Sequence, residues 1–300
     1  MKLNIGLVGY GEVGKTFAQG LKPLCGGWVG VWDLKLANPS LKAEELASAT
    51  QHGLEACSSA QQVCQQARLI ISAVTASNTL AVAQVVAQYI QPGTFFLDLN
   101  SASPGTKQQC AELIDAAGGH YVEAGVMTSV PPYGIKVPML LGGAYAPQLA
   151  QMLEPMGLDI TVVAPKIGVA SAIKMCRSVM IKGLEALVIE SYATARAYGV
   201  ESHMIPTLYE TFPGLDWNTQ GAYFFSRVVQ HGKRRAEEMR EAARTVEEAG
   251  FAAALTSAIA QKQDWVAQLA ATGVFEGVSA QDPWQDYADR LLAALPKAQP

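Results

Sequence analysis

From residue 2 to about residue 164 short apolar runs alternate with longer helix-compatible ones, and beyond residue 165 that alternation stops. Such alternation is the mark of βαβ units, because each parallel strand needs a crossover before the next can pair with it. The predicted strands are 2–8 (KLNIGLV), 27–33 (GWVGVWD), 69–74, 94–99, 120–125, 137–143 and 159–164. The remainder reads as helices only: 167–199, about 203–211, 217–231, 233–248, 251–272 and 283–294, parted by stretches such as FPGLDW and GVSAQDPW. The pattern predicts an α/β domain with a doubly wound, mostly parallel sheet over 1–164, followed by an all-α domain over 165–300. The closing PKAQP reads as a frayed end.

Composition narrows the function classes. A 300-residue chain that is 50% hydrophobic and 16% charged has ample apolar material for a soluble, two-domain protein. A formal net charge of −4 offers no basic footprint for nucleic acid or an anionic membrane. The five cysteines are scattered and never in a CxxC or zinc spacing, and the four histidines form no metal spacing, so reduced thiols, a cytoplasmic setting and no metal are expected. The N-terminus opens directly into a strand without a basic leader, and no apolar run reaches membrane length.

The most informative motif is VGYGEVG, which places Gly9, Gly11 and Gly14 in GxGxxG spacing between the first strand and a helix opening at Glu12. In that context the first glycine permits a tight turn, the second lets backbone approach a pyrophosphate, and the third lets helix and strand pack closely. The reading is a Rossmann-type dinucleotide site formed by Gly9, Tyr10, Gly11, Glu12, Val13 and Gly14. Asp33 ends the second strand, where a carboxylate can accept from both ribose hydroxyls and repel a 2′-phosphate. NAD is therefore the expected cofactor, with NADP kept open by Lys35 two residues on. Ser72, Val74 and Thr75, ending the third strand, border the expected cofactor path.

Residues 167–190, IGVASAIKMCRSVMIKGLEALVIE, form a helical run apolar on most of its circumference. At about 100° per residue, Ser171, Lys174, Ser178, Lys182 and Glu185 fall within an arc of roughly 80°. That stripe faces either bulk water or an internal wet cleft. The charge-dense segment 234–250, RRAEEMREAARTVEEAG, reads as a solvated, self-paired helix face, or alternatively as a site from which Arg234 or Arg235 binds an anion.

With GYGEVG at the N-terminus, DLNSASP at 98–104 and GVASAIKM at 168–175, the whole chain resembles the β-hydroxyacid dehydrogenase family, which includes 3-hydroxyisobutyrate and 6-phosphogluconate dehydrogenases. It looks closest to a branch whose C-terminal domain resembles that of phosphogluconate dehydrogenase. The family's DxSTxxP substrate motif falls on Asp98, Asn100, Ser101 and Pro104, with Asn in place of the usual Ser. Its GxxxxxK motif falls on Gly168 and Lys174, and the asparagine usual four residues later is Ser178. Its DAPVSGG loop aligns with EAGVMTS at 123–129, where the two glycines have become Thr128 and Ser129.

The resemblance implies that Lys174 is the catalytic acid/base, that Asn100, Ser101, Thr128, Ser129 and Ser178 meet the substrate, and that Asn100 also borders the cofactor; Arg235 joins the substrate set as the anion contact read from the charged segment. The implied activity is hydride transfer between a nicotinamide cofactor and a small β-hydroxyacid or sugar acid, with a homodimer formed through the helical domain. A lysine with a reference pKa near 10.4 must have that value depressed to serve as a base at neutral pH. Helix capping by Ser101 and ordinary polar lining by Ser178 are the structural alternatives. At the level of function, the alternatives are an imine or pyrroline reductase and a cofactor-binding protein without turnover.

Overall fold

The computed structural model describes residues 2–295; the expected frayed PKAQP lies outside the described residues. The chain divides into two compact units between Cys176 and Arg177. This division falls inside a long helix, α8 (Val169–Tyr198), rather than at the change of sequence rhythm near residue 165.

The first unit opens with β1 (Leu3–Val8), α1 (Glu12–Cys25), β2 (Gly26–Trp32), α2 (Leu34–Ala37) and α3 (Pro39–Gln51). It continues through β3 (Glu55–Ala56), α4 (Ala60–Gln66), β4 (Leu69–Ser72), α5 (Thr79–Ala87), β5 (Phe95–Asp98) and α6 (Pro104–Ala116). Then follow β6 (His120–Val126), β7 (Met139–Gly142), α7 (Ala146–Leu153), β8 (Ile160–Ala164) and the start of α8. The strands form one sheet in the order β3-β2-β1-β4-β5-β6-β7-β8. Every neighbouring pair is parallel except β6 with β7. The stretch from β3 to β6 is the doubly wound dinucleotide-binding order, with its switch point between β1 and β4.

Side chains alternate across the sheet as the two-residue strand period demands. Leu69 and Ile71 of β4 join one core with Leu7, Leu97 and Phe17, while Ile70 joins the other with Phe96 and Ile114. Both faces are thus covered by helices, which explains why the strands read as continuous apolar runs. All seven expected strands are present within a few residues of their predicted ends. The two-residue β3 was not anticipated, since so short a segment carries no periodicity. All five cysteines are free thiols, four of them buried, and burial pushes those of Cys57 and Cys64 up to about 12.

The second unit is helical: the later turns of α8, then α9 (Glu201–Thr211), α10 (Trp217–Glu248), α11 (Ala254–Ala271) and α12 (Trp284–Ala294). Its core gathers Tyr192, Phe225, Trp284, Tyr287 and their neighbours. No helix among the described residues is long and apolar enough to cross a membrane.

One expectation is corrected here: 217–231 and 233–248 are a single helix, α10, running through Gly232. A mid-helix glycine costs about 1 kcal/mol in propensity. This one makes room for α11, because a Cβ at residue 232 would lie 2.8 Å from the Gln263 carbonyl oxygen and 3.0 Å from the Ala267 Cβ. Gly232→Ala should therefore lower stability, by about 1–2 kcal/mol in urea unfolding, despite its better helix propensity. A stabilised variant would show that α10 and α11 do not need this close approach.

Candidate active site

The nucleotide end is built from glycines that differ in what surrounds them. Gly9 has φ +99° and a Cβ there would lie 2.3 Å from the Ala73 carbonyl oxygen; at Gly14 it would lie 2.0 Å from the Gly9 carbonyl oxygen. Gly11 has φ −81° and faces open space. Gly11 also precedes α1 without any side-chain cap, so the first turn of that helix presents its positive end at the same place. An open glycine beside an uncapped helix start fits a pyrophosphate, which needs close backbone approach.

Tyr10 departs from a simple cofactor contact: its ring is fully buried in the core, and its amide donates to Asp33 Oδ2 at 2.6 Å. Asp33 Oδ1 accepts from the Lys35 amide at 2.9 Å. Two backbone donors thereby fix the carboxylate at the end of β2, and each oxygen keeps a further lone pair for a ribose hydroxyl. Glu12 is exposed and Val13 half-buried on the first turn of α1.

Asn100 lies where β4 and β5 end. Its Oδ1 accepts from the Val74 amide at 2.7 Å, and its Nδ2 donates to Ser72 Oγ at 2.8 Å. Its own amide donates to Asp98 Oδ1 at 2.9 Å. The side chain of Asn100 thus ties two strand ends together. Asp98 in turn is fully buried against Lys107, whose Nζ is 2.9 Å from Oδ1, and accepts from the Tyr121 hydroxyl at 2.7 Å. Burial first, and then the Asp98 charge, holds the Tyr121 hydroxyl well above the usual tyrosine range. Thr75 is exposed and accepts from Asn78 Nδ2 at 2.8 Å.

Ser101 does not cap α6; Ser103 does, accepting from the Thr106 amide at 3.2 Å. Ser101 Oγ instead accepts from Lys174 Nζ at 2.6 Å. What brings Lys174 there is Glu123 of β6, a residue with no exposed surface. Its carboxylate accepts from the amides of Gly168 at 2.7 Å, Ala170 at 3.1 Å and Ser171 at 3.3 Å, covering the otherwise unpaired first turn of α8. Two glycines permit this: a Cβ on Gly142 would sit 2.5 Å from Glu123 Oε1, and one on Gly125 would sit 2.9 Å from the Ala170 carbonyl oxygen. Gly168, at φ +103°, makes the turn into the helix. Thr128, exposed, and Ser129, half-buried, follow the end of β6. Gly9, Asp33, Val74, Ser101 and Thr128 therefore all follow the carboxyl ends of mutually parallel strands.

Ser178 and Arg235 belong to the second unit. Ser178 is buried and accepts from Lys182 Nζ at 3.4 Å; Lys182 pairs with Glu238 at 2.6 Å. Arg235 grips buried Glu185 through Nε at 2.9 Å and through Nη2, and Gln263 Nε2 donates to the same carboxylate at 3.3 Å. This part of the polar stripe faces neither bulk water nor an open cleft within its unit: Lys182 and Glu185 pair across to α10. The roles of Glu123 and Lys107 were missed in the sequence, where single charged residues carry no periodic signal, and of the ion-pair layer the residues Lys182, Glu185 and Arg235 were singled out but not their partners.

The family described as the NAD binding domain of 6-phosphogluconate dehydrogenase matches residues 4–163. The chain belongs to that family. Residues 195–266 match a domain of unknown function, DUF1932. A conserved hypothetical protein from Sinorhizobium meliloti is 35% identical, with 98% of this chain and 97% of that one covered and a TM-score of 0.77. A conserved protein of unknown function, described as structurally similar to 3-hydroxyacid dehydrogenases, is 29% identical over 89% of this chain and 99% of its own, at TM-score 0.68. The 3-hydroxyisobutyrate dehydrogenase of Mycobacterium tuberculosis, 18% identical over 98% and 100% of the two chains at TM-score 0.68, shares the fold. The protein is an NAD(P)-binding oxidoreductase.

The Glu123 contact generates a stability prediction. Glu123→Ala leaves three amides of α8 without their acceptor and should cost about 2–4 kcal/mol in urea unfolding. Amide exchange should speed up selectively at residues 168–171, which those bonds protect. Unchanged stability with unchanged exchange would remove Glu123 from this role.

Proposed function

We propose that this oxidoreductase acts on a small β-hydroxyacid or sugar acid, with Lys174 as the general acid/base. The observation that carries the reading is the Lys174 Nζ to Ser101 Oγ bond of 2.6 Å, at the carboxyl edge of a sheet whose glycine loop fits a pyrophosphate. The residues that would hold the cofactor are the Gly9–Gly14 loop, Asp33, and the Val74 and Thr75 strand end. When bound, nicotinamide takes hydride from a carbinol carbon or returns it.

The chain's own residues manage the proton. In the oxidative direction a neutral Lys174 accepts the proton of the substrate hydroxyl at Nζ, and in the reductive direction the ammonium gives it back. Ser101, as an acceptor of Lys174, fixes where Nζ points and keeps its own hydroxyl hydrogen for a substrate oxygen. Asn100 holds the floor by its bonds to Val74 and Ser72. Thr128 and Ser129, at the end of β6, offer hydroxyls for a carboxylate. We leave Arg235 out of this set, because its guanidinium is engaged by Glu185.

A homodimer formed through the helical unit is part of the proposal. Met180, 65% exposed, and Leu187, 60% exposed, lie two turns apart on one face of α8, and Phe251 and Leu255, 72% and 66% exposed, flank the start of α11. Apolar side chains so placed suit a self-complementary contact. Sedimentation at micromolar concentration should show a dimer, and a single 31.9 kDa species would rule it out.

The activity test is a screen of small hydroxyacids and sugar acids with NAD and NADP, followed by the absorbance of the reduced nicotinamide. Lys174→Ala should lower turnover by about 10²- to 10⁴-fold while nucleotide affinity stays near wild type. Retention of more than about a tenth of the rate would take Lys174 out of the mechanism. Failure of every hydroxyacid together with turnover of a cyclic imine would replace the reading.

A further inference from the structure

Below Asp33, on the side of the sheet end where an adenosine ribose would lie, the structure holds a small charged cluster. Lys15, on the first turn of α1, places Nζ 2.8 Å from Glu45 Oε2. Lys35 places Nζ 3.3 Å from Glu45 Oε1. Glu45 is only 5% exposed, whereas the side chains of Lys15 and Lys35 are 28% and 42% exposed. One buried carboxylate on α3 therefore holds two ammonium groups that reach in from α1 and from α2.

The cluster is joined to the ribose-binding position by backbone and ring contacts. Lys35 donates its amide to Asp33 Oδ1 at 2.9 Å, so the residue that carries one ammonium also orients the Asp33 carboxylate. Lys15 Nζ lies 5.3 Å from the centre of the Tyr10 ring, and the Tyr10 amide donates to the other Asp33 oxygen at 2.6 Å. Burial pulls the Glu45 carboxyl upward, and the two lysines outweigh that pull and leave it below its usual value. The four side chains Lys15, Asp33, Lys35 and Glu45 sum to zero charge.

We propose that Glu45 is a specificity-determining residue for the cofactor: it keeps Lys15 and Lys35 from serving a 2′-phosphate, and so enforces NAD over NADP together with Asp33. The inference rests on the cofactor reading of the Gly9–Gly14 loop. Two lysines beside a ribose position are what a 2′-phosphate requires, because an ammonium binds phosphate as a point charge. Paired internally, they offer no net positive charge to a dianion, while a neutral 2′-hydroxyl is indifferent to them. Asp33 repels the phosphate directly, and Glu45 withdraws its counter-charges. The same arrangement explains how a chain with Lys35 next to the ribose position can still prefer NAD.

The test measures binding rather than turnover. Dissociation constants for NAD and NADP are determined by calorimetry on the full chain, in wild type and in Glu45→Gln, which keeps the side-chain shape. Wild type should favour NAD. Glu45→Gln should tighten NADP by about fivefold, the size of a partly exposed ion pair released to a new anion, with NAD shifted by less than about twofold. Adding Lys15→Gln and Lys35→Gln to that variant should cancel the gain. Should Glu45→Gln not fold, Glu45→Asp serves in its place, since its shorter side chain withdraws the carboxylate from both ammonium groups and should tighten NADP in the same direction. An unchanged NADP-to-NAD ratio in both variants, or a gain that survives loss of the lysines, overturns the lock while leaving the cofactor reading standing. Binding of neither nucleotide by wild type overturns both.

Discussion

A single buried carboxylate fixes how the sheet and the long helix α8 meet. Glu123 carries a charge with no exposed surface, and what stabilises that charge is the amino end of α8: three amides and the aligned peptide dipoles behind them. A buried carboxylate without donors would be prohibitive, and a helix start without an acceptor costly; each removes the other's penalty. Because Glu123 lies on β6 and Lys174 lies in the second turn of α8, this contact joins the sheet to the turn that carries the Lys174 amine. Gly125, Gly142 and Gly168 are its sterical conditions, respectively admitting the helix, the carboxylate and the turn.

The floor beneath is organised on the same principle of reciprocal satisfaction. Asp98, Lys107 and Tyr121 close a buried network whose outer member, through the Asn100 amide, sets the turn that carries Ser101. Buried ion pairs of this kind contribute little net stability, but removing one partner leaves an uncompensated charge, so they fix conformation strongly. Lys174 thus meets a serine whose backbone is held from below, while its own backbone is held from the side. Preorganisation of this type is what proton transfer demands, since a small displacement of donor and acceptor removes most of the benefit.

Much of this was legible beforehand, and the reasons for what was not are physical. The strands of the sheet announce themselves because both faces are covered, which makes each an unbroken apolar run. The glycine loop and the Gly168 to Lys174 spacing are readable because backbone conformation restricts residue type there. Glu55–Ala56 escaped because two residues have no period, and Gly232 misled because a glycine that admits a neighbouring helix looks the same as one that ends its own. Glu45, Lys107 and Glu123 are isolated letters in the chain; only the fold brings them to their partners, Glu123 across 45 residues to Gly168. The stripe on α8 shows the remaining limit. Its periodicity was plain, but whether Lys182 and Glu185 met water or opposite charge depended on α10, 56 and 50 residues away.

The three glycines of the nucleotide loop are one letter with three different obligations. Gly9 and Gly14 answer to the fold, since any side chain there would collide with main-chain atoms. Gly11 does not: its φ of −81° suits every residue, and apart from its immediate chain neighbours nothing of the protein lies within 4 Å of where its Cβ would stand. The space in front of it is open. The loop therefore separates its architectural duty from its recognition duty by position. An alanine at Gly11 would leave the scaffold intact while narrowing the open space beside the start of α1, so it separates the two duties more cleanly than any change at Gly9 or Gly14.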